Sequence, residues 1–136
     1  SVRVLPKTNA EIRKLAKSRN PFNHMAIMFK KTEVLLAGGY IHLNYLEDYY
    51  LWLRLLANQN KAQNLPNILV SARIGNGMHE RRRGFSYLKS EYQLLKIKKS
   101  LNITGYLDGF YFFCLRGVSR LLPTNLLRIA YKLLRN

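Results

Sequence analysis

Leu46-Glu47-Asp48-Tyr49-Tyr50-Leu51-Trp52-Leu53-Arg54 is the stretch whose reading decides the fold. Two adjacent carboxylates open it, and the run that follows is apolar almost all round at helical period: Leu46, Tyr50, Leu53 and Ala57 on one side, Trp52, Leu55 and Leu56 around the other. A helix of that composition is buried, so residues 47–58 are expected at the centre of a core. Asn44, three positions before Glu47, has the form of an N-terminal cap answered by a reciprocal carboxylate.

Working upstream, Gly38-Gly39 stops a two-turn helix expected over Lys31–Ala37, one glycine taking the left-handed conformation that closes a helix. Met25-Ala-Ile-Met-Phe29 is a short continuous apolar run, which predicts a central strand covered on both faces. Residues 9–18 read as an amphipathic helix with Ile12, Leu15 and Ala16 on one face and Thr8 or Asn9 as cap. Asn20-Pro21 ends it, because the residue before proline leaves the helical region.

Downstream, Leu65–Ile74 reads as a strand with its proline near the start, and 75–84 is a glycine-containing loop holding Arg81-Arg82-Arg83. Helices follow at about 85–100, 103–121 and 124–135. The fold class is therefore α/β over residues 1–83, followed by a basic, all-helical extension over 84–136.

Composition bounds the function. The 136 residues are 48% hydrophobic, too rich for a disordered chain. One cysteine, Cys114, rules out an internal disulfide framework and is expected as a buried, inert thiol. No run reaches the roughly 20 apolar residues that cross a bilayer. The chain starts at Ser1 with no initiator Met or signal-like stretch, as though in mid-fold. The net charge of +16 calls for an anionic partner, and residues 81–136 hold twelve Lys and Arg against Glu91 and Asp108.

Three clusters can carry chemistry. Carboxylates at a helix N-terminus are favoured in their ionised form, so Asp48 can take a proton from a hydroxyl within reach. The plain alternative is that Glu47 closes a capping box and Asp48 complements the helix dipole. His24, in Asn20-Pro-Phe-Asn-His24, can touch a phosphate or hydroxyl or can serve only as a structural hydrogen-bonding residue. In Arg73-Ile-Gly-Asn-Gly-Met-His-Glu-Arg-Arg-Arg83 the glycines admit a phosphate to the backbone, and arginine binds phosphate oxygens bidentately. Not all three arginines can face one site.

The succession Arg19-Asn-Pro-Phe-Asn-His24, Met28-Phe-Lys-Lys31, Gly38-Gly-Tyr40, Leu46–Arg54, Leu56-Ala-Asn58 and Arg73-Ile-Gly-Asn-Gly-Met78 strongly resembles glycosyltransferase family 2. The likeness is to the bacterial members that build capsule, exopolysaccharide and lipopolysaccharide O-antigen, and it covers the C-terminal half of their GT-A fold. The resemblance implies that Asp48 is the catalytic base and that Glu47, Gly39, Tyr40 and His24 face the acceptor. It further implies that Arg73, Asn76, His79 and Arg81 approach the donor diphosphate. The family's nucleotide-binding half and its Asp-X-Asp metal motif are absent from this sequence, so Mg or Mn would be held mainly by the missing half, and this chain reads as a fragment that is catalytically silent alone.

The function so implied is inverting transfer of a sugar from a nucleotide-sugar donor to a lipid-linked or saccharide acceptor. A helix over 124–135 with Leu126, Leu127, Ala130, Tyr131 and Leu134 on one face and Arg128, Lys132 and Arg135 offset suits an anionic membrane surface. The enzyme is accordingly expected in the cytoplasm, peripheral to the inner face of the bacterial plasma membrane. The same face can instead pack on the catalytic domain. The rivals from other classes are a basic nucleic-acid-binding module, for which no zinc-finger, RNA-recognition or helix-turn-helix signature is present, and a non-catalytic interaction domain.

Overall fold

The structure is a computed structural model, and it describes residues 3–72 and 84–121, with side chains to residue 117. Among them lie five α-helices: α1 (Asn9–Ala16), α2 (Lys31–Leu36), α3 (Glu47–Ala57), α4 (Phe85–Ser100) and α5 (Tyr106–Leu121). A single 3-10 turn, His24–Ala26, precedes α2. The helix expected at 124–135 and the loop at 73–83 lie outside the described residues.

The core is α3, as its all-round apolar sequence demands. Tyr49, Leu51, Trp52, Leu53 and Leu56 are all buried, and Ile12 and Ala16 of α1, Phe22, Val34 of α2 and Tyr87 and Leu94 of α4 close around them. Phe22 meets the Trp52 ring edge-on at 5.8 Å. Each large side chain so buried contributes about 1.5–3 kcal/mol.

The two expected strands are not found. His24–Ala26 is a helical turn, Ile27 is extended, and Met28 is 97% exposed. Residues 65–72 form no ladder either, and Leu65, Ile68 and Leu69 are exposed. A strand exists only by pairing its amides and carbonyls with a neighbour, and the described residues offer neither segment a partner. They are helical with no strand among them, so the α/β expectation is corrected to that extent.

The helix ends carry the tertiary organisation. A helix leaves its last carbonyls unsatisfied and its C-terminus partly negative, and here basic side chains from other helices fill both needs. Arg13 of α1 reaches the Leu56 carbonyl at the end of α3 at 2.8 Å and that of Asn60 at 3.2 Å. Around the end of α1 three donors converge: Tyr49 Oη on Ala16 O at 2.6 Å, Lys98 Nζ on Lys17 O at 2.8 Å and Arg116 Nη1 on Ser18 O at 3.1 Å. Arg116 also forks onto buried Glu91, with Nη2 to Oε1 at 2.7 Å. Burial opposes the Arg116 charge, but Glu91 outweighs it and holds the guanidinium above its ordinary pKa.

The helices α4 and α5 therefore pack onto the rest of the molecule. They also approach one another closely, since a Cβ on Gly109 would stand 2.8 Å from Leu95 Cδ1, and one on Gly117 would stand 2.8 Å from Leu88 Cδ1.

Candidate functional site

The site is built from the end of α2, the start of α3 and the segment after α1. Gly38 and Gly39 have φ of +84° and +63°. The Gly39 amide donates to Val34 O at 2.8 Å and the Gly38 amide to Leu35 O at 2.9 Å, the paired bonds that end a helix on a left-handed glycine. This turn delivers Tyr40 toward α3.

Arg54, six residues beyond Asp48 on α3, grips the same turn. Its guanidinium donates to Ala37 O and, at 2.5 Å, to Gly39 O, while its plane lies 4.5 Å from the Tyr50 ring centre. Burial pushes its pKa down, against the Tyr50 contribution. Arg54 thus fixes the glycine turn to the helix that carries Asp48.

The Asp48 carboxylate is half-buried and held at both oxygens. Asn20 Nδ2 donates to Oδ2 at 2.9 Å, and the Tyr49 backbone amide donates to Oδ1 at 2.7 Å. Asn20 is itself fixed, because its Oδ1 accepts from the Phe22 amide at 3.1 Å in the Pro21 turn. The Tyr40 phenol is pushed above its ordinary pKa by burial and then by the negative charge of Asp48, which puts the two within electrostatic reach. His24 meets the Tyr40 ring edge-on, centroids 6.3 Å apart. Asp48, Tyr40, His24 and Gly39 are therefore brought to one place from three segments of chain.

Glu47 sits half-buried beside them in the first turn of α3. Its expected capping box with Asn44 does not form. The N-cap is Leu46, whose carbonyl accepts the first helical bond from Tyr50, and no side chain caps it. Tyr45 takes a left-handed φ of 67° and stacks on Tyr87 at 5.0 Å, which turns Asn44 out of the capping position. The box forms instead at α1, between Thr8 and Glu11.

Sequence reasoning named Asn20 and Arg54 only as parts of motifs and gave neither a role. The signal for Asn20 was its place before a proline, where a side-chain acceptor organises the turn. For Arg54 it was a lone cation inside an apolar helix, which must find partners when buried. Arg73, Asn76, His79 and Arg81 lie outside the described residues. Among the described residues no group of three His, Cys, Asp or Glu side chains converges as metal ligands, and no helix is long and apolar enough to cross a membrane.

No family model matches the chain, and no solved structure matches it. Curated relatives do. An uncharacterized glycosyltransferase of Haemophilus influenzae is 48% identical over 130 residues, 96% of this chain and 48% of the relative. The amylovoran biosynthesis glycosyltransferase AmsE of Erwinia amylovora is 41% identical over 128 residues, 94% of this chain and 48% of its own length. The UDP-Gal:alpha-D-GlcNAc-diphosphoundecaprenol beta-1,3-galactosyltransferase of Escherichia coli is 37% identical over 131 residues, 96% of this chain and 47% of its own. The chain is a relative of bacterial glycosyltransferases of polysaccharide biosynthesis, matching them along nearly its whole length and spanning about half of theirs.

Proposed function

We propose that this chain is the acceptor-side half of an inverting glycosyltransferase of family 2 with a GT-A fold, and that Asp48 is its general base. The observation that carries the reading is the Asp48 carboxylate, oriented by Asn20 and the Tyr49 amide beside Tyr40 and the Gly38-Gly39 turn. Similarity along nearly the whole chain to one half of bacterial glycosyltransferases supports it.

In the reaction an acceptor hydroxyl lies against Asp48 and surrenders its proton as its oxygen attacks the anomeric carbon of a nucleotide-activated sugar. The new C–O bond forms as the bond to the nucleoside diphosphate breaks, and the diphosphate departs with the electron pair. Fixing the base in advance removes the cost of ordering it at the moment of reaction. The Tyr40 phenol, kept neutral, can donate a hydrogen bond to the acceptor, and His24 and Glu47 border the same place. Arg73, Asn76, His79 and Arg81 are assigned to the diphosphate. A divalent cation, Mg or Mn, would find its ligands beyond the described residues.

The acceptor is assigned to the lipid-linked class by analogy with the E. coli relative, whose name specifies a diphosphoundecaprenol substrate. Such an acceptor sets the reaction at an anionic membrane surface, on the inner face of the plasma membrane.

The test is Asp48→Asn in a full-length protein containing this chain. Turnover should fall by about 100-fold or more, with melting temperature and donor KM unchanged. Near-normal turnover by the variant overturns the assignment.

A further inference from the structure

The outward face of α5 is apolar although its inward side already packs on α4, through Gly109, Phe112, Phe113, Arg116 and Gly117. Inward lie Arg116 on Glu91 and the two close-packing glycines, Gly109 and Gly117. Outward lie Tyr106, Leu107, Phe110, Tyr111 and Leu115, and Leu107 is 81% exposed. These positions fall on one contiguous stripe at helical period. Adjacent Tyr, Phe and Leu side chains exposed in this way form a patch that needs a partner.

Two lysines of α4 identify the partner. Lys99 Nζ stands 5.1 Å from the Tyr106 ring centre, and Lys96 Nζ stands 4.6 Å from that of Tyr92, which itself packs on Phe113 of α5. Lys89, one turn before Tyr92, is exposed on the same side of α4. The apolar stripe is thus edged by ammonium groups, with Asp108 as the lone acid on α5. Aromatic rings with lysines beside them suit the boundary of an anionic bilayer, where rings sit at headgroup level and ammonium groups meet lipid phosphate. A protein partner would have to supply a matching acidic rim, and the described chain, with its surplus of cations, gives no such rim to a second copy.

We infer that α5, edged by Lys96 and Lys99 of α4, is a membrane-docking face that lies flat on an anionic lipid surface with Leu107, Phe110 and Tyr111 in the interface. The inference rests on the membrane setting proposed above and deepens it, moving the contact from the segment at 124–135 to the described helix pair. Docked there, the helix that closes the end of α1 is fixed at the lipid surface, and the Asp48 site is carried close to lipid-linked substrates.

The experiment is co-sedimentation of the 136-residue chain with vesicles of pure phosphatidylcholine and of phosphatidylcholine with phosphatidylglycerol. Three forms are compared: wild type, Leu107→Ser/Phe110→Ser and Lys96→Glu/Lys99→Glu. Circular dichroism confirms folding of each, and since all four positions are at the surface, no core contact is lost. The wild type should bind the anionic vesicles, more weakly as salt rises, and each double variant should bind at least tenfold more weakly. Anionic binding that both variants retain in full overturns the docking face while leaving the membrane setting intact. Wild-type binding that ignores lipid charge overturns both. A dimer that Leu107→Ser/Phe110→Ser converts to monomer, with no vesicle binding, shows that the face is a protein interface. None of these outcomes bears on Asp48, which is tested by turnover.

Discussion

The Arg54 guanidinium donates to the Gly39 carbonyl at 2.5 Å, which ties the glycine turn ahead of Tyr40 to the helix that begins with Asp48. Both the Ala37 and Gly39 carbonyls depend on this one side chain. Arg54→Ala should therefore cost about 1–2 kcal/mol, since two part-buried carbonyls lose their donor. Arg54→Lys should recover only part of it, because an ammonium cannot fork between two carbonyls. Urea denaturation of the three forms checks the order. A lysine variant as stable as wild type contradicts it.

Asn20 has two separable duties, and two substitutions separate them. Asn20→Asp keeps the acceptor for the Phe22 amide but removes the donor to Asp48, so kcat should drop by about tenfold or more while stability changes little. Asn20→Ala removes both, and the melting temperature should fall with kcat. If both variants lose stability and neither loses kcat at saturating acceptor, Asn20 is a turn residue and does not position the base.

Glu91 neutralises Arg116 inside the molecule. Glu91→Gln leaves that guanidinium without its carboxylate, and breaking a buried pair from one side costs roughly 3–5 kcal/mol. This is a large share of the stability of any domain. Replacing both partners, as in Glu91→Leu/Arg116→Met, should cost less than Glu91→Gln alone. A double-mutant cycle on chemical denaturation measures the difference, and simple additivity would refute the coupling.

Lys98 gives the fold a pH dependence of known sign. Burial, helped by the like charge of Arg116 and partly offset by Glu91, pushes its pKa down from 10.5 to about 7. Between those values the unfolded chain binds more protons than the folded one, so stability should rise with pH across that window. The penalty is complete below pH 7 and relieved toward pH 10. Its neutral amine still donates to the Lys17 carbonyl. Lys98→Met abolishes this contribution, so wild-type stability should gain on the variant between pH 7 and pH 9. Parallel curves would show that Lys98 is charged in the folded state throughout.

Much of this was legible in the chain and some was not, for physical reasons. α3 was readable because an apolar run at helical period has one solution, burial, and the span expected for a helix at about 85–100 coincides with α4. The stop at Gly38-Gly39 was readable because glycine takes a left-handed position without strain, although the sequence called for one such residue and the structure has two. The run Met25–Phe29 misled, because a short apolar run becomes a strand only where a neighbour pairs with it, and here it is a turn and an exposed segment instead. The Asn44 cap misled because a cap depends on the φ of the residues between, and the left-handed Tyr45 is invisible to a spacing rule. Asp48 and its neighbours Tyr40 and His24 were named from sequence. Asn20, which holds Asp48, and Arg54, which holds the glycine turn, were quoted in motifs but given no role, since a positioning residue shows itself only in the distance to what it positions. The surplus of cations also read differently in space. Arg116 is matched by Glu91 and burial favours the neutral amine of Lys98, so these two add less to the field felt by an anion than the bare total suggests.

The bond from Arg116 to Ser18 spans 98 residues and that from Lys98 to Lys17 spans 81. Two of the three side-chain bonds at the end of α1 therefore wait for parts of the chain made long after it. Loops of that length close slowly and gain no contacts until they do. During synthesis the Tyr49 bond to Ala16 and the apolar contact with α3 can form early, but the Lys17 and Ser18 carbonyls must wait until residues 98 and 116 have left the ribosome. Among the described residues the pair α4 and α5 thus completes the closing of α1, and chains halted before it are more exposed to proteases and chaperones.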